Sequence, residues 1–159
     1  MKQVTLVLPL KGNELWMAVK KKGFGVGRLN GFGGKVEDGE TIEQAAVREL
    51  WEECGVKASE KDLQKVAECL FLFPSVPEDK NWNQNMHVFV LSNWEGIPSE
   101  TEEMKPVRMQ AEKIPFDQMW EADRHWIPEV LKGKQIKAKF VYNERQQLQT
   151  FELNEVKQW

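Results

Sequence analysis

Three glutamates, Glu49, Glu52 and Glu53, crowd into five residues, with Arg48 directly before them and Glu40 upstream. On a helix, at about 100° per residue, the three carboxylates fit within an arc of roughly 100°. Like charges at that spacing repel and weaken a helix. Clustered oxygen ligands instead suit a hard divalent cation, Mg²⁺ or in its place Mn²⁺. A lone E-x-x-E-E reads more readily as a solvated helix face. Here Gly34, Glu40 and Arg48 stand in fixed register with the glutamates, as G-x5-E-x7-R-E-L-x-E-E-x-G-V, which a solvated face does not require. Arg48, four residues before Glu52, can pair with it or orient it. A cation held by such carboxylates can neutralise phosphate charge, while a carboxylate beside it can position or deprotonate a water. Glu53 reads as a ligand and Glu52 as ligand or base. The spacing leaves open which glutamate is the base. Lys35 can offer charge to phosphate.

The elements that must position these residues are legible too. Thr41-Ile42-Glu43-Gln44 is a capping box, so a helix should start at Thr41. Val47, Leu50, Trp51 and Cys54 fall at i, i+3, i+4, i+7 and form the expected apolar stripe, with the glutamates away from it. Gly55 then ends the helix. Ahead of it, Lys20 to Lys35 holds six glycines. That density implies positive φ and close approach of backbone to some other group.

Length and composition bound the rest. A chain of 159 residues, 41% hydrophobic and 30% charged, suits one soluble globular domain, spanning 1–159. No apolar run reaches the length of a membrane span. The first residues alternate like a strand and lack a small-residue cleavage site, so no signal peptide is expected. A net charge of −3 without a basic block argues against polymeric nucleic acid as partner. Cys54 and Cys69 lack zinc spacing and read as reduced core residues of a cytoplasmic protein. His87 and His125 have no metal-spaced partner. A monomer is expected.

Strands are expected at Val4–Leu10, Leu15–Val19, within Leu63–Phe73, and at Met86–Leu91 and Val107–Gln110. Ile136–Tyr142 and Leu148–Leu153 should pair around Asn143-Glu144. Phe116–Leu131 reads as a helical turn and then a helix interrupted near Pro128. Residues 74–85 and 98–103 read as loops. The class is α/β (α+β), with more strands than helices.

At every defined position, residues 34–56 match the Nudix signature, and the chain resembles the Nudix hydrolases. The resemblance implies a mixed β-sheet sandwiched between α-helices and Mg²⁺-dependent hydrolysis of a nucleoside diphosphate derivative. Further stretches, KKKGFGVGRLNGFGGKV, MHVFV, EEMKP and IPFDQMW, resemble the MutT-type branch of the family that takes oxidised purine nucleoside triphosphates. Those enzymes release nucleoside monophosphate and pyrophosphate and so sanitise the nucleotide pool. By that resemblance Gly33, Gly34 and Lys35 touch metal and phosphate. Glu49, Glu52, Glu53 and Glu103 hold metal. Asn30 and Asp123 read the base. Phe24, Phe71, Phe73, Met104 and Trp120 wall its pocket, and Lys20 lies near the sugar-phosphate end. Asn30 also reads as a turn residue and Asp123 as a helix cap. The branch has an aspartate where this chain has Ala122, which puts the breadth of base recognition in question. Two other readings share the same signature: a hydrolase of ADP-ribose or a dinucleotide, and a non-catalytic nucleotide-binding module. The full glutamate set argues against the last.

Overall fold

The computed structural model describes residues 1–159. In chain order its elements are β1 (Lys2–Lys11), β2 (Glu14–Lys20), β3 (Leu29–Asn30), α1 (Ile42–Cys54), β4 (Leu63–Leu72), β5 (Gln84–Leu91), β6 (Met104–Gln110), α2 (Asp123–Leu131), β7 (Gln135–Tyr142) and β8 (Leu148–Val156). Strand side chains alternate between faces, and here both parities are apolar. Val4 and Leu8 of β1, with Met86 and Val88 of β5, enter a core that also takes in Trp126, Ile127 and Val130 of α2. Val7, Phe89 and Leu91 enter a second core with Ala46, Leu50 and Cys54 of α1. The sheet is therefore buried on both sides and lies between the two helices.

The strand order is β3-β2-β1-β5-β4-β7-β8, with β6 paired to β2. Strands β1 and β5 run parallel from Lys2↔Gln84 to Pro9↔Leu91. A parallel pair needs a long crossover, and this one carries α1. Strands β7 and β8 form the expected antiparallel hairpin. On the other edge of β1 lies the end of the glycine-rich segment. Phe32 and Val7 exchange backbone hydrogen bonds (3.0 and 2.6 Å), Thr5 N–H donates to the Gly34 carbonyl (2.9 Å), and Val36 N–H donates to that of Gln3 (2.9 Å).

Helix α1 begins as the capping box requires, with Thr41 accepting from the Gln44 N–H and Gln44 from the Thr41 N–H. Gly55 closes it in the left-handed conformation, φ 73°. Its buried face differs from the expected stripe. That face is Ala45, Ala46, Leu50, Glu53 and Cys54, and Trp51 is 57% exposed. The alanines let the helix lie close to the sheet, which rotates Trp51 outward and Glu53 inward. Helix α2 also differs, because it runs through Pro128 without a break. Proline removes one bond, that to the Arg124 carbonyl, while buried Trp126, Ile127 and Val130 anchor the helix on either side. Strand β6 begins at Met104, three residues before the expected start, and pairs with β2 along its whole length. Cys54 and Cys69 are buried and free. No helix is long and apolar enough to cross a membrane.

Candidate active site

Backbone proximity explains the paired glycines. A Cβ on Gly33 would lie 1.8 Å from the Thr5 carbonyl oxygen, and one on Gly34 would lie 2.5 Å from the Glu49 carboxyl carbon. The first contact is with backbone, so only glycine fits at 33, whereas a Cβ at 34 would push the Glu49 carboxylate out of its place. The gain is a hydrogen bond at the point of closest approach, where Gly33 N–H donates to Glu53 Oε1 (2.7 Å). Gly33→Ala is expected to force β1 and the segment apart. The cost is on the order of 1–3 kcal/mol or more, read as a lower urea midpoint, together with a loss of turnover.

Glu49 and Glu53, one helical turn apart on α1, meet Glu103 from the loop before β6. One carboxylate oxygen from each lies within 4.8 Å of the other two. Glu53 is 7% exposed. Its burial pushes the carboxyl up to about 8, against the pull of the Gly33 N–H and with added push from Glu49 and Glu103. Burial also raises Glu49, opposed by Arg48. These groups are held where isolated negative charge is disfavoured, which is the condition a bound cation relieves. Glu103 is fixed through its backbone, since its carbonyl accepts from Lys21 N–H (2.9 Å) and its N–H donates to Thr101 Oγ1 (3.2 Å). The Thr101 hydroxyl in turn donates to the Glu53 carbonyl (2.9 Å), tying the loop to α1.

Glu52, expected as ligand or base, stands outside this cluster. Its side chain is 47% exposed and lies 3.2 Å from Arg48 Nη1. The rotation that turns Trp51 outward carries its neighbour Glu52 with it. Arg48 is the hub of the helix's outer face. It donates to Glu40 through Nε (2.7 Å) and Nη2 (3.0 Å), to Glu49 through Nη1 (3.0 Å) and to the Lys35 carbonyl through Nη2 (3.1 Å). That fork holds Glu40 below the usual carboxylate range and fixes Glu49 in orientation.

A cavity of about 300 Å³ opens beside the carboxylates and is lined by Phe24, Asn30, Phe71, Phe73, Met104, Trp120 and Asp123. The volume suits one small ligand group. Lys20, Gly33 and Glu53 border both the cavity and the carboxylate cleft, so the two are continuous. Lys35 lines the cavity as well. All the base-pocket and phosphate-end residues expected from the sequence thus converge. Asn30 pairs with Ala18 through the backbone, and its amide makes no hydrogen bond within the protein. Asp123 does more than start α2. It is buried, accepts from Trp126 Nε1–H (2.9 Å), and burial lifts its carboxyl to about 7.

Several lining and supporting residues carried no readable signal. Lys2 lines the cavity, and burial together with Lys35 and Lys20 lowers its pKa, so three lysines meet at one end. Arg28 sits over the Trp120 ring at 3.9 Å, while Phe24 stacks on that ring at 5.2 Å. Trp82, from the loop at 74–85, packs against Phe24 (5.3 Å) and edge-on against Phe73 (5.5 Å). These contacts join segments far apart in the chain, and no local pattern announces them. His87 lies away from the cleft against Gln3 (2.8 Å).

The sequence matches the NUDIX domain over residues 2–130. It is 41% identical over 152 residues to the oxidized purine nucleoside triphosphate hydrolase of Mus musculus, covering 96% of this chain and 94% of that protein. It is also 41% identical over 155 residues to the protein of the same name from Danio rerio, covering 98% and 96%. Its fold superposes on a MutT protein from Bacillus halodurans with a TM-score of 0.82 at 20% identity, covering 97% of this chain and 98% of that one. The glutamate-bearing helix, the glycine pair that closes on it and these matches lead to one conclusion: the chain belongs to the Nudix family.

Proposed function

We propose that this protein hydrolyses modified, chiefly oxidised, purine nucleoside triphosphates to nucleoside monophosphate and pyrophosphate, and so cleanses the nucleotide pool. The observation that carries this reading is the continuity of an aromatic-walled cavity, with Asp123 in its wall, and a three-carboxylate cleft. The relatives' names point to the same substrate class.

Glu49, Glu53 and Glu103 are the residues that would hold a divalent cation. Their all-oxygen donor set and mutual distances fit Mg²⁺, with Mn²⁺ as a substitute. A cation held there supplies charge neutralisation to phosphate and lowers the pKa of a bound water. The chain's own groups do the rest. Lys2, Lys20 and Lys35 gather the triphosphate at the end of the cavity nearest the carboxylates. Gly33 N–H fixes one oxygen of Glu53 and leaves the other for the cation site. Arg48 positions Glu49. Glu52, turned to the outer face, acts through Arg48. Phe24, Phe71, Phe73, Met104 and Trp120 exclude water around the base, and Asn30 and Asp123 offer polar contacts to its edge. All of these groups come from one chain, so a monomer suffices.

Asp123, at about 7, exists near neutrality both as a carboxylic acid and as a carboxylate. It can donate to a base oxygen or accept from a base N–H. Ala122 beside it is fully buried and has no polar side chain to offer the base. Ala122→Asp is expected to change the ratio of oxidised adenine to oxidised guanine turnover by about tenfold or more, measured as the ratio of kcat/KM values. An unchanged ratio would mean that this position does not read the base.

The test of the function itself is a Mg²⁺-dependent hydrolysis panel of 8-oxo-dGTP, 2-oxo-dATP, O6-methyl-dGTP, dGTP, ADP-ribose and a dinucleoside polyphosphate, with products separated. Preferential conversion of a modified purine triphosphate to monophosphate and pyrophosphate is expected. Turnover of ADP-ribose alone would overturn the substrate assignment.

A further inference from the structure

Tyr142, the last residue of β7, is 2% exposed. Its ring is fixed by stacking on Phe73 (5.1 Å, 15° between planes) and by an edge contact with Trp120 (6.4 Å). Its hydroxyl oxygen is buried and has no hydrogen-bond partner within the protein. Buried hydroxyls are ordinarily paired, and an orphan of this kind requires a reason. Only two other buried side-chain atoms share that condition, on Glu129 and Gln135, and neither lines the cavity. Tyr142 does line it, in the same wall as Asp123. For packing alone phenylalanine would serve, as Phe140 does two residues earlier on the same face.

We infer that the Tyr142 hydroxyl is a specificity-determining contact to the purine, donating a hydrogen bond to a keto oxygen on the base edge that also meets Asp123. This rests on the substrate class proposed above. The surroundings favour the donor role. The Ala122 backbone stands against Tyr142 Oη and pulls its pKa down, yet the hydroxyl has no partner by distance and angle. A backbone N–H on that side would take a lone pair of the hydroxyl and leave its O–H proton as the unpaired half. Burial and the nearby Asp123 carboxyl keep the phenol protonated far above neutral pH. A phenol that stays protonated and has no partner inside the protein has its O–H proton to donate. It rewards a base with a keto oxygen at that edge and leaves an amino-bearing base with two donors opposed.

Tyr142→Phe removes only the oxygen, and three readouts separate the outcomes. The ratio of kcat/KM for 8-oxo-dGTP, which is 6-keto, to that for 8-oxo-dATP, which is 6-amino, is expected to fall about tenfold. The loss should come through KM for 8-oxo-dGTP, with kcat held within about twofold. Without nucleotide, the variant should melt at the same temperature as the parent or above it, because an unpaired buried hydroxyl is lost. An unchanged ratio overturns the inference. So does an equal loss on both substrates, or a lower melting temperature, since a hydroxyl satisfied inside the protein would produce those. If the parent protein turns over neither triphosphate, the substrate class itself fails and the inference falls with it. If the parent turns over both and only the variant's ratio is unmoved, the substrate class stands and the Tyr142 assignment alone is wrong.

Discussion

Replacing Glu53 with glutamine is expected to lower kcat by roughly 10²–10⁴-fold, the range for losing a group that moves a proton or holds charge in the transition state. The fold should survive. The amide oxygen of glutamine can still accept from Gly33 N–H, the bond that ties the glycine pair to α1. The amide nitrogen would face Glu49 and Glu103, an attractive neighbour in place of a repelling one. Metal-free Glu53→Gln should therefore melt no lower than the parent at pH 8, where the parent's buried carboxyl is half ionised. Pyrophosphate release under saturating Mg²⁺ and thermal melts in chelator check the two halves. A variant that kept a tenth of the activity with normal metal dependence would remove Glu53 from the mechanism. Glu52→Gln is the companion measurement. Because Glu52 points to Arg48 on the exposed side of the helix, its loss should be smaller than that of Glu53.

The second large effect is on stability. Glu53, at about 8, and Asp123, at about 7, both lie above their ordinary values of 4.5 and 3.8. The folded protein therefore binds protons that the unfolded chain releases. Each group contributes stability that is fully present below its ordinary value and lost as pH rises through its folded value, at most about 1.4 kcal/mol per pH unit. Metal-free protein should thus lose several kcal/mol between about pH 5 and pH 8. His87, whose pKa burial lowers, works in the opposite direction around its ordinary value of 6.5 and trims the low end of that slope. Two manipulations separate the carboxyls. Mg²⁺ should restore the part that belongs to Glu53, because a cation favours the carboxylate. Asp123→Asn should remove the other part, whether or not metal is present. Asparagine can still accept from Trp126 Nε1–H, and it ends the desolvation cost that Arg28 only partly offsets. Melting temperature from pH 4 to pH 9, with chelator and with Mg²⁺, measures both. A metal-free profile that is flat between pH 5 and pH 8 would contradict the burial of these groups as charged liabilities.

Much of the site was legible because its spacing is local. The capping box places the start of α1 within the hydrogen-bonding reach of four residues, and Gly55 ends it through a conformation other residues resist. Glu49 and Glu53 are one helical turn apart wherever that helix lies. Family resemblance supplied the distant members, Glu103, Asn30, Trp120 and Asp123, and the structure brings them to the same cleft. Strand and hairpin positions followed from alternation and turn residues and were displaced by no more than three residues, as at the start of β6.

The rotation of α1 about its axis was a tertiary decision. Val47, Leu50, Trp51 and Cys54 and the observed face built on Ala46, Leu50 and Cys54 are both apolar arcs of one helix. Only the closeness of β1 selects the arc with small residues. That choice buries Glu53, exposes Glu52 and so ranks two adjacent glutamates that the sequence left equal. Pro128 was likewise settled by packing, since the anchored faces of Trp126 and Ile127 outweigh one missing hydrogen bond. The stack of Phe24, Trp120 and Arg28 and the orphan hydroxyl of Tyr142 depend on segments from about twenty to about a hundred residues apart in the chain meeting in one wall. The sequence by itself determined the chemistry this protein carries, because ligand type and helical spacing are local properties. Which carboxylate is buried, and which polar residues line the cavity, only the tertiary structure decided, because burial belongs to the packed whole.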